Sequence, residues 1–76
     1  MALESSKKLL RLETAVLNRT FRAIRKNPKL SKQELFPWKT VSQEMCRLYD
    51  EGHEDVHDLD QDRICELVIQ FHQMQR

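Results

Sequence analysis

The stretch HEDVH, residues 53–57, holds two imidazoles four residues apart with a carboxylate directly after the first. On an α-helix that spacing sets both rings on one face, the arrangement by which a helix offers two zinc ligands and a general base. The neighbours argue against a helix passing through. Gly52 stands immediately before His53, where a helix ends, and Asp50, Glu51, Asp55 and Asp58 crowd negative charge around the motif. No H-x-x-H or G-x-x-H continuation supplies a third ligand. Glu66, Cys46, Cys65 and His72 follow no recognised ligand spacing. Residues 52–58 are therefore expected to form a polar connection. His53 and His57 are the residues that a metal would have to use, and the expectation is no metal and no catalytic residue.

The other reactive groups fare no better. The run DLDQD, Asp58–Asp62, looks like the start of a calcium loop, but Arg63 stands where that loop needs glycine and Ile69 where it needs a bidentate glutamate. Cys46 and Cys65 allow at most one disulfide, and each is expected to behave as a small hydrophobic residue. The acids around Cys65 raise a thiol pKa and so oppose a redox role. No nucleophile–base pair, phosphate-cradling glycine loop or cofactor motif is present, and an enzyme is not expected.

Charge is the more informative signal. Residues 1–40 carry ten Lys/Arg and three Glu, and residues 41–76 carry three Arg and nine Asp/Glu; the halves stand at +7 and −6, leaving the net +1. Such polarity gives the molecule a basic side and an acidic side. At about 100° per residue, Lys7, Lys8, Arg11, Arg19, Arg22, Arg25 and Lys26 fall within one arc of about 120°, with Glu4 as its acid. A one-sided row of this kind can follow phosphates, which makes nucleic-acid binding the alternative functional reading. The acidic half and the absence of aromatic residues from the row oppose it. A helix-turn-helix over residues 31–50 is a weak fit, because Pro37 and Trp38 occupy the turn.

These side chains are expected to be carried by helices. One glycine and two prolines in 76 residues, with no alternating run of β-branched residues, disfavour sheets. The expected fold is all-α: a single small antiparallel bundle, residues 1–76, of three main helices plus one short helical turn. The main helices are placed at about 3–26, 38–51 and 59–75, and the short one at about 32–36, with Ser31 and Glu34 as a capping box. In the first helix Leu9, Leu12, Val16 and Ala23 form one stripe, and Leu10, Leu17, Phe21 and Ile24 a second, with Glu13 and Thr20 between them. Trp38, Val41, Met45, Leu48 and Tyr49 share a face of the second helix. Ile64, Leu67, Val68, Phe71 and Met74 form the main stripe of the last, beside a thinner one of Cys65, Ile69 and His72. Phe21, Phe36, Trp38 and Phe71 are expected in the core.

An apolar arc near 180° on the first helix is wider than one neighbouring helix covers. The functional expectation is thus a small, non-enzymatic helical interaction or regulatory protein. It binds a protein partner through Leu10, Leu17, Phe21 and Ile69, with a homodimer favoured by the charge polarity. No stretch approaches the ~20 apolar residues of a membrane span, and no cofactor is implied. The expected setting is intracellular and cytoplasmic, with reduced thiols.

Overall fold

The computed structural model describes residues 2–74 of the chain, and side chains from Lys7 onward. It has three α-helices, α1 (Ala2–Lys26), α2 (Trp38–Asp50) and α3 (Gln61–Met74), with 3-10 helices at Pro28–Lys32 and Glu54–Asp58. No strand occurs among the described residues. The chain is a small all-α bundle. The expected end of the last helix at residue 75, and the Glu4 side chain, lie outside the described residues.

α1 is the floor of the bundle. Its buried side chains, Leu12, Val16, Thr20 and Ile24, follow an i, i+4 row and so lie one above another on a single face. Thr20 completes the row although its hydroxyl finds no hydrogen-bond partner among the described residues. Val41 and Leu48 of α2, Val56 of the second 3-10 helix, and Ile64, Cys65 and Val68 of α3 close over this row. Each Val or Ile buried in full contributes about 1.5–3 kcal/mol relative to exposure.

The helix ends differ from expectation in instructive ways. Asn27 does both jobs at the first break. Its backbone N–H donates to the Ala23 carbonyl, and its side chain accepts from the Lys29 N–H, 3.3 Å away. A 3-10 helix therefore starts at Pro28, and the short helix expected at 32–36 is displaced by a turn over residues 33–37. Ser31 is no N-cap: it lies inside the 3-10 helix, and its hydroxyl donates to the Pro28 carbonyl. The Phe36–Pro37 peptide bond is cis, and α2 starts after Pro37 without a side-chain cap.

α2 ends in a Schellman motif, with Gly52 N–H donating to the Tyr49 carbonyl and His53 N–H to the Leu48 carbonyl, both at 3.0 Å. Gly52 has φ +106°, and nothing lies within 4 Å of where a Cβ would sit. Backbone conformation, not crowding, demands glycine there. Asp60 caps α3 by accepting from the Arg63 N–H at 3.2 Å.

α1 and α3 run in the same sense. Glu13 meets Arg63 at 3.7 Å, and Phe21 meets Phe71 edge-to-face at 6.1 Å, in the same order along both helices. α3 spans the N-terminal half of α2 and the turn before it, with the Gln61 side-chain amide on the Trp38 carbonyl and His72 against Phe36. The second 3-10 helix covers the rest of α2, where His57 packs on Tyr49.

This packing rotates α3 away from its expected stripe. Cys65 enters the core while Phe71 and Met74 stay exposed. On α2, Thr40 and Glu44 are buried, whereas Trp38 and Tyr49 of the expected apolar face remain 43% and 42% exposed. The expectation that Trp38 and Phe71 fill the core is thus overturned, and Phe21 and Phe36 reach only half-burial. The inward positions of α2 and α3 are filled by Val41, Leu48, Ile64, Cys65 and Val68, and the larger aromatic side chains lie at the margins of that core.

Two substitutions test the role of this row. Ile64→Ala should lower stability by about 2–5 kcal/mol in denaturant titration, as for other fully buried aliphatic truncations. Thr20→Val should raise it by about 1 kcal/mol, because an unpaired buried hydroxyl is replaced by a methyl of similar shape. A destabilised Thr20→Val protein would mean that the hydroxyl is paired.

Candidate interaction surfaces

The HEDVH stretch is split by the end of α2. His53 belongs to the Schellman motif and precedes the 3-10 helix, whereas His57 sits in its last turn. The backbone of His53 is not helical, so the i, i+4 register that would set both rings on one helix face is absent. His57 lies 4.6 Å from the Tyr49 ring, centroid to centroid. His53 lines a separate groove beside Lys8 and Leu12. Among the described residues no group of three or more His, Cys, Asp or Glu side chains could hold a metal ion.

The basic face of α1 is partly neutralised from within. Lys8 forms an ion pair with Asp55. Arg19 grips Glu51 through its two terminal guanidinium nitrogens, at 2.6 and 2.7 Å. The hydrogen bond to Arg19 holds the Glu51 carboxyl below its usual value and raises the Arg19 pKa. The hydrogen bond and charge of Asp55 raise that of Lys8. The acids of the second half thus dock on one margin of the row and tie α1 to the segment after α2. Arg22, Arg25 and Lys26 are exposed, with no ion pair among the described residues. Lys7 and Arg11 are exposed too.

One cation that sequence reasoning did not assign to this face comes from α2. Arg47 bonds to Glu44 at 3.0 Å and lines a groove with Arg19, Arg22 and Lys26. Only the α1–α2 packing brings it there. The spacing of Glu44 and Arg47, i and i+3, was the available signal for their pairing.

The apolar candidates divide into two surfaces. Leu17 and Phe21 are half-buried against the core, and Leu10 is 60% exposed in a groove with Leu59 and Arg63. They lie along the α1–α3 seam, which continues through Phe71, 42% exposed, and Met74, 78% exposed. Ile69 is exposed but precedes Phe71 by two residues, about 200° of helical rotation. It therefore faces the other flank of α3 and is not part of that surface. Sequence reasoning had placed Phe71 in the core, so the exposed α3 side of the seam was missed.

A further groove of about 260 Å³ is lined by Met45, Cys46, Tyr49, Val56 and His57, among others. Cys46 is exposed there, whereas burial, and then the nearby Asp62, push the Cys65 thiol up to about 11. None of the described helices is long and apolar enough to cross a membrane. No family model, curated protein or solved structure matches this chain.

Under native conditions iodoacetamide should modify Cys46 alone, giving one adduct by intact mass, and two after denaturation. Labelling of Cys65 at the same rate would contradict its burial. Glu51→Gln should lower stability near neutral pH. The depressed carboxyl stabilises the fold above the ordinary value of 4.5 and loses that effect as pH falls through its lower folded value. The difference in Tm between the two proteins should therefore shrink in acid.

Proposed function

We propose that this chain is a small, non-enzymatic helical interaction protein that binds a second copy of itself through the α1–α3 seam. The observation that carries the reading is the apolar line from Leu10 to Met74. Half-buried Leu17 and Phe21 sit on one helix and half-buried Leu67 and exposed Phe71 on the other.

A second copy is the occupant that the seam itself supplies: a two-fold axis along it sets α1 of each copy on α3 of the other, so that the apolar line of one meets its own counterpart. A face about 20 Å long and two helices wide is smaller than the ~800 Å² per partner of a standard interface. Association is therefore weak and concentration-dependent.

Sedimentation equilibrium from low to high micromolar protein tests this. The mass should climb from 9.1 kDa toward twice that value. Leu10→Glu and Met74→Glu, both at exposed positions, should keep the protein monomeric with an unchanged helical circular dichroism spectrum. A strict monomer at every concentration, or a dimer indifferent to both substitutions, refutes the reading.

A further inference from the structure

On the side of α1 away from the seam, the helix and α2 enclose a groove of about 370 Å³. Arg19, Arg22 and Lys26 form one wall, and Glu44 and Arg47 the other. We propose that this groove, with the exposed α1 face that continues from it, holds the phosphodiester backbone of a nucleic acid without reading its bases. The proposal is independent of self-association. Phe21 and Arg22 differ by about 100° around α1, and Leu17 and Lys26 by about 180°, so closing the seam leaves the groove open.

The groove has cationic capacity to spare. Glu51 occupies Arg19 and Glu44 occupies one nitrogen of Arg47. A guanidinium has five N–H donors, so Arg47 is oriented by Glu44 without being used up. Its side chain remains 67% exposed. Arg22 and Lys26 have no ion pair among the described residues and stand one helical turn apart, about 6 Å along the axis. The acids at this face, Glu44, Glu51 and Asp55, are already matched by Arg47, Arg19 and Lys8. Their repulsion of an incoming anion is correspondingly reduced.

The shape of the charge selects a linear polyanion over an isolated phosphate. Beyond the groove the exposed cations continue through Arg25 and back to Arg11. From Arg11 to Lys26 the helix rises about 22 Å, the length of several successive phosphates at about 3.4 Å per strand step. A single phosphoserine would fill the groove and leave the rest of the row unused. No aromatic side chain lies in the row, so base stacking contributes nothing and binding is indifferent to sequence.

Fluorescence anisotropy with a mixed-sequence duplex DNA and a mixed-sequence single-stranded RNA, each about two helical turns long, tests this. Both should bind at about 50 mM salt and lose more than about tenfold in affinity by about 200 mM. Arg22→Ala and Lys26→Ala should each weaken binding several-fold and reduce the slope of log affinity against log salt by about one. Arg63→Ala, on the seam, should leave binding unchanged, with circular dichroism verifying the fold of all three. The proposal is overturned by any of three results: no binding of either oligonucleotide at low salt, binding indifferent to Arg22 and Lys26, or capture of a phosphoserine peptide with neither oligonucleotide bound.

Discussion

The row Leu12, Val16, Thr20 and Ile24 on α1 is the contact on which the rest of the molecule depends. Three other elements reach the core by closing over it: α2 through Val41 and Leu48, the second 3-10 helix through Val56, and α3 through Ile64 and Val68. A chain of 76 residues buries a smaller share of its surface than a larger domain. It cannot bring two separate cores together. One helix must therefore serve all the others, and the long α1 does so with a single face.

That constraint sets the character of the surface. The shared row is made of residues no larger than leucine, and the bulky side chains lie at its margins. Trp38, Tyr49 and Phe71 end up exposed, with Phe71 braced on Phe21 and Tyr49 on His57. Exposed single apolar residues are ordinary. Here the α1–α3 pair adds Leu10 and Met74 along one line, and that continuity is what supports the proposed self-association.

Electrostatics then divides the outside of α1 into parts with different uses. The acidic second half of the chain folds back so that Glu51 and Asp55 reach Arg19 and Lys8. Such exposed pairs contribute little to stability, but they decide which cations remain available. The sequence polarity between the halves becomes, in three dimensions, a neutral margin beside a cationic face.

The class of structure and the location of most elements were legible in the sequence, because helix periodicity, Gly52 and Pro28 are local signals. The clustering of Lys and Arg on one side of α1 was legible for the same reason: a helix maps spacing directly onto direction. What the sequence could not decide is which of two neighbouring stripes turns inward. On α3 the choice between Phe71 and Cys65 depended on the angle at which that helix meets α1 and α2, a property of the packed assembly and not of any one segment. The same holds for the groove, where Arg47 joins Arg22 and Lys26 only through the docking of α2 on α1. The fate of HEDVH was settled between these levels. Gly52 announced the helix end, but the 3-10 turn that parts His53 from His57 also depends on Val56 being drawn into the core. Local spacing thus determined the helices and their faces, and tertiary packing, acting through contacts far apart in the chain, determined which faces were left exposed.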